Sequence, residues 1–188
     1  MNITNVDAVV ERLLRTHDTI TVVGASRDAG KAAHQIPLRM QQLGWRIIPV
    51  NPYVDELFGE KAYPALADVP EQLGLVDVFR PASDAPDVAR QAVAAGATAL
   101  WLQLGIVSQA AREIAAAAGI DYVEDRCLAV ERAKLDLRAP VPGSVREPDH
   151  LPGDQAQRLG YVVEQCPTLG EHLIGRVDGD SERCGPAA

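Results

Sequence analysis

The sequence predicts an α/β class, a parallel β-sheet with helices on both faces, on three observations. Five short apolar runs, at 20–24, 46–50, 76–79, 99–103 and 121–123, are mostly continuous rather than alternating, as expected of strands buried on both faces. Amphipathic segments separate them, and right-handed crossovers between parallel strands leave few other arrangements. Gly44, Gly96 and Gly119 each fall where a helix should stop and turn into the next strand.

Taken in order, the first element is a helix over 6–15, whose apolar stripe is Val6, Val9, Val10, Leu13 and Leu14. The strand at 20–24 runs into Gly24-Ala25-Ser26-Arg27-Asp28-Ala29-Gly30-Lys31, and a helix follows over 33–43. Pro37 is compatible with that helix if it starts near Ala33 or His34, because first-turn N–H groups are unbonded anyway. The strand at 46–50 ends in Asn51-Pro52, and a short turn surrounds 65–69. The strand at 76–79 ends in Phe79-Arg80-Pro81, with Ser83 or Asp84 placed to cap a helix over 84–95. The strand at 99–103 runs into Leu104-Gly105-Ile106, and Ser108 caps a helix over 109–118. The last strand, 121–123, leads through Glu124-Asp125-Arg126-Cys127 to an apolar-periodic segment over 128–137. Five parallel strands so connected make a Rossmann-like, doubly wound sheet.

At 188 residues and 47% hydrophobic content, one sizeable core is expected, with one domain over 1–138 and a tail over 139–188. The tail holds 13 of the 28 Gly and Pro residues and 8 acidic against 4 basic side chains, so it is expected to be mostly irregular, partly disordered or docked on the domain or on a partner chain, with a short strand or turn of helix at 160–163 and 171–174. A net charge of −8 opposes a nucleic-acid partner, which needs a basic field. Neither a leader-like start nor a run of roughly 18 to 20 apolar residues is present, which predicts a cytoplasmic protein with no membrane contact. Three widely spaced cysteines, Cys127, Cys166 and Cys184, fit neither a disulfide framework nor a metal pair, and the scattered His17 and His34 predict no metal site. Arginine greatly outnumbers lysine, as in GC-rich bacterial genomes.

Ligands of doubly wound sheets bind beyond the carboxyl ends of the strands, where strand order reverses. A strand, a glycine loop and a helix start together expose backbone N–H groups and partial positive charge, so a diphosphate is the natural guest of the 24–31 loop. Arg27 and Lys31 add full charges. A nicotinamide site would show G-x-G-x-x-G and an acid after the second strand. Here Ser26 follows Gly24 and Asn51-Pro52 follows the strand, which disfavours NAD. Each residue also has a structural reading. Arg27 and Lys31 fit solvated surface charges, Asn51-Pro52 a plain turn and Trp101 the core. Arg80, ending a buried strand, needs an anion or a carboxylate such as Asp77 or Asp125. Cys127, at a helix start beside Arg126, could be a reactive thiol, though a buried small hydrophobe fits it better.

Gly24-Ala25-Ser26, the run 48–52, the run 59–66, the run 76–80, the run 99–105 and the run 124–128 together resemble the small stand-alone CoA-binding proteins (YccU-like). These are similar in turn to the N-terminal domain of the succinyl-CoA synthetase α subunit. The resemblance covers residues 5–138 and stops before the tail. It implies a domain that holds coenzyme A, with the diphosphate on Gly24, Ala25, Ser26, Arg27 and Asp28 and the adenosine near Asn51 and Pro52. Arg27, Lys31 or Arg80 would meet the 3′-phosphate or diphosphate, and Phe79, Pro81, Leu104 and Gly105 would line the adenine or pantetheine path. The synthetase's phosphohistidine domain has no counterpart here, since His150 and His172 lie in the tail. A non-catalytic CoA or acyl-CoA binder is therefore expected. The alternatives are an NAD(P)-binding oxidoreductase-type domain and an interaction module derived from an acyl-CoA ligase, forming a homodimer or docking on another protein. A bulky residue at Gly24 is expected to block the ligand while sparing the fold.

Overall fold

The structure is a computed structural model and describes residues 6–140. Its elements, in chain order, are α1 (Val6–Thr16), β1 (Thr19–Val23), α2 (Ala32–Gln42), β2 (Arg46–Val50), β3 (Glu56–Leu57), β4 (Glu60–Lys61), a 3-10 turn (Leu66–Asp68), β5 (Leu75–Val78), α3 (Ala85–Ala94), β6 (Ala99–Leu102), α4 (Gln109–Ala118), β7 (Asp121–Val123) and α5 (Leu128–Lys134). The five expected strands form one sheet in the order β2-β1-β5-β6-β7, with every neighbouring pair parallel. From β1 the chain crosses to β2 on one side, and from β5 onward it builds outward on the other. Strand order therefore reverses between β1 and β5, and the crevice for a ligand opens at their carboxyl ends.

Continuous apolar runs suit this sheet because both of its faces are covered. Ile20, Val22, Ile47, Leu75 and Trp101 pack against α1, α2 and α5, while Ile48, Val50, Val76, Val78, Leu100 and Leu102 pack against α3, α4 and the 3-10 turn. Sequence neighbours such as Ile47 and Ile48 thus serve opposite layers. Both tryptophans are sealed in the first layer, as expected for Trp101, and each indole N–H finds a carbonyl: Trp45 that of His17 at 2.8 Å, Trp101 that of Arg126 at 2.7 Å.

Several boundaries differ from the sequence reading. α2 begins at Ala32, so Pro37 sits beyond the first turn, and it is tolerated for another reason. The Ala33 carbonyl, which residue 37 of a regular helix would bond, accepts the Ser26 N–H at 3.1 Å instead. Asp84 occupies the N-cap position of α3 without capping it by its side chain, whereas Ser108 caps α4 by accepting the Ala111 N–H at 3.2 Å. α5 ends at Lys134, short of 137, because Asp136 turns left-handed at φ 48° and the Leu137 N–H returns to the Arg132 carbonyl. The β3-β4 hairpin was not anticipated. Its strands are two residues each, too short to show a period, and its turn, Phe58-Gly59, has positive φ at both positions, 59° and 73°. The expectations for 160–163, 171–174, Cys166, Cys184, His150, His172 and the irregular tail lie outside the described residues.

Candidate functional site

Gly24 ends β1 with φ +85°, and its N–H donates to the Val50 carbonyl at 3.0 Å. A Cβ here would stand 3.0 Å from both Arg80 Cδ and the Phe79 carbonyl oxygen. The crevice between β1 and β5 is thus narrow at its base, and Gly24, Phe79 and Arg80 meet there. The expectation that a bulky residue at Gly24 would spare the fold is corrected by this geometry. The Phe79 contact is with backbone, and the dihedral alone favours glycine.

The loop after Gly24 divides its amides between itself and solvent. Ser26 donates to Ala33, Asp28 to Ser26 Oγ at 3.1 Å, Gly30 to Asp28 Oδ1 at 2.9 Å and Lys31 to the Asp28 carbonyl at 3.0 Å. Among the described residues, the N–H groups of Arg27 and Ala29 in the loop, and of Ala32 and Ala33 in the first turn of α2, have no protein acceptor. Arg27 makes no ion pair among those residues, and Lys31 lies only within 4.0 Å of Asp28. Both side chains are exposed. Free donors, two cations and a helix start converge on one side of the crevice, where a phosphate would find them.

The other side is built by Asn51, a half-buried residue that does more than turn the chain. Its Nδ2 donates to the Ala25 carbonyl at 2.7 Å, and its Oδ1 accepts the Tyr53 N–H at 2.8 Å. One carboxamide therefore fastens the 24–31 loop to the β2 exit, where Pro52 and Tyr53 stand exposed. His34 adds a second fastening. It donates from Nδ1 to the Ser26 carbonyl at 2.7 Å, since a carbonyl can only accept, and its ring lies 5.1 Å from that of Phe58. Gln41 Nε2 holds the Phe58 carbonyl at 2.7 Å, so the unexpected hairpin is tied to α2.

Arg80 finds its carboxylate in Asp84, one helical turn along, through Nε at 3.2 Å and Nη2 at 2.9 Å. The partners expected for it, Asp77 and Asp125, are engaged elsewhere. Asp125 accepts the Gly105 N–H at 2.8 Å from a left-handed conformation, φ 55°, while its own N–H bonds the Ile106 carbonyl at 3.2 Å. Glu124 accepts the Ser108 N–H at 3.1 Å and the Tyr122 hydroxyl at 2.7 Å, and pairs with Arg112. Together these two acids brace the loop that exposes Leu104 and Gly105. The sequence reading offered Asp125 only as a partner for Arg80 and gave Glu124 no role, although two acids after a strand end facing a glycine loop were visible.

Asp77 is fully buried on β5 beside the crevice, with both carboxylate oxygens accepting from Gln103 Nε2 at 2.8 and 2.9 Å. Burial pushes its carboxyl up to about 7, against the opposing effect of the Gln103 and Val78 hydrogen bonds. Gln103 in turn offers Oε1 to the Leu128 N–H at the start of α5, at 3.4 Å. Cys127, at the N-cap of α5, is 7% exposed within the α1–α2–α5 layer, the setting of a small hydrophobe rather than of an accessible nucleophile. Among the described residues no cluster of His, Cys, Asp or Glu could hold a metal ion, and no helix is long and apolar enough to cross a membrane.

Residues 18–133, which run from β1 through all but the last residue of α5, match the CoA binding domain family. The chain belongs to that family. Within it, the uncharacterized protein YneT of Bacillus subtilis is 32% identical over 126 residues, covering 67% of this chain and 93% of YneT. A solved Thermus thermophilus structure is 38% identical with a TM-score of 0.65, covering 69% of this chain and 98% of that one. The ADP-forming acetate–CoA ligase of Methanocaldococcus jannaschii is 26% identical over 129 residues, but these are 64% of this chain and only 18% of the ligase. A CoA binding domain thus occurs both in small proteins and as a part of acyl-CoA ligases, and the present chain is similar to both.

Proposed function

We propose that the chain binds coenzyme A or an acyl-CoA at the carboxyl edge of β1, β2, β5 and β6 and performs no chemistry on it. The observation that carries this reading is the set of unpaired N–H groups of Arg27, Ala29, Ala32 and Ala33, flanked by the Arg27 and Lys31 cations, on a chain of the CoA binding domain family. Backbone donors aimed at solvent from a helix start favour a diphosphate without any rearrangement of the loop. The adenosine lies along Asn51 and Pro52, and the pantetheine arm passes Phe79, Pro81, Leu104 and Gly105. Arg80 joins the phosphates by exchanging Asp84 for them, an exposed ion pair being cheap to break. Residues 1–138 make up the proposed binding domain.

Thermal unfolding with CoA, acetyl-CoA, NAD, NADP and ATP tests this. CoA and acetyl-CoA should stabilise the protein, by about 2.7 kcal/mol at 100 times the dissociation constant, and the others should not. Replacing both Arg27 and Lys31 by Ala should weaken CoA binding while leaving the unliganded midpoint unchanged, because both side chains are solvated. Stabilisation by NAD and not by CoA would overturn the reading.

A further inference from the structure

We propose that Tyr53 is a stacking platform for the purine of the bound nucleotide, an inference that rests on the reading of this edge as a CoA site. Among the described residues, Tyr53 is the large apolar side chain that stands furthest into solvent, 81% exposed against 52% for Leu104 and 51% for Val107. Its phenol and ring make no hydrogen bond, ring contact or cation contact among the described residues. Its backbone is nevertheless fixed from two directions. Asn51 Oδ1 holds the Tyr53 N–H while Asn51 Nδ2 holds the Ala25 carbonyl of the phosphate loop. The base of the excursion that carries Tyr53 is closed by the Asn51 N–H to the Tyr63 carbonyl at 2.9 Å and by the Tyr63 N–H to the Pro49 carbonyl at 3.0 Å.

A bare aromatic ring on a fixed stem, tied by one side chain to an anion-binding loop, matches a ligand that couples phosphate to a flat ring. A sugar or an aliphatic arm gains little from a π-face, whereas a purine stacks on one whatever its hydrogen-bonding edge. The stem is placed before the ligand arrives, so little ordering cost opposes the contact.

Isothermal titration of the full chain and its Tyr53→Ala and Tyr53→Phe variants with CoA and with 4′-phosphopantetheine, which lacks the purine, tests this. Tyr53→Ala should weaken CoA binding by about tenfold, within the roughly 5- to 150-fold that stacking is worth, while Tyr53→Phe stays within about twofold. Neither variant should alter 4′-phosphopantetheine binding or the unfolding midpoint. Wild-type CoA affinity in Tyr53→Ala would overturn the platform and leave the CoA site standing. An equal loss toward both ligands would also overturn it, since the residue would then act through the turn and not on the base. No CoA binding by the wild-type chain would overturn both readings together.

Discussion

Asp77 shows how a single side chain can set the pH response of the fold. Its carboxyl titrates near 7 in the folded chain and near 3.8 once released to water. Between those values the folded state holds a proton that the unfolded state has lost, so this group's stabilisation is complete below 3.8, declines as pH rises, and is gone above about 7. The decline is at most about 1.4 kcal/mol per pH unit. Urea unfolding at about pH 5 and pH 8 should show a loss in the wild type that is much smaller in Asp77→Asn. Gly24 supplies the second residue-scale prediction: Gly24→Ala should lower stability by about 1–3 kcal/mol, read from denaturant midpoints, because the left-handed dihedral and the Phe79 carbonyl both oppose a methyl. Gly24 was legible as the hinge of a loop from its place after an apolar run. Its contact with Phe79, 55 residues on, was not, because only the sheet brings the two together.

At the scale of the element, strands and helices were legible wherever a pattern ran for three residues or more. The β3-β4 hairpin falls below that length, and the braces that shape the site depend on contacts between distant loops. Glu124 and Asp125 belong to the loop after β7 yet hold amides of the loop after β6. Asp125→Ala removes the acceptor of the Gly105 N–H and leaves a β-carbon in a left-handed conformation with no local hydrogen bond in return. Amide exchange at Gly105 should therefore quicken, and stability should fall by about 1–2 kcal/mol. Pro37 bears on the 24–31 loop in a comparable way. With Ala in its place, a regular helical bond would compete for the Ala33 carbonyl, and exchange of the Ser26 amide should rise while α2 itself becomes more regular.

For the whole molecule, the strand count and the parallel arrangement were legible because burial on both faces leaves a continuous apolar signature. The sheet order follows from crossovers and gives the crevice its place. The chain shortened to residues 1–140 should fold cooperatively and bind CoA as the full chain does, since both packed layers and every candidate site residue lie within it. Circular dichroism and titration of that fragment check this. The burial of both tryptophans has one more consequence, for spectroscopy. With Trp45 and Trp101 sealed beneath helices, intrinsic emission reports whether the interior is intact and stays nearly blind to a guest at the rim. A titration followed only by that signal would record silence even at saturation.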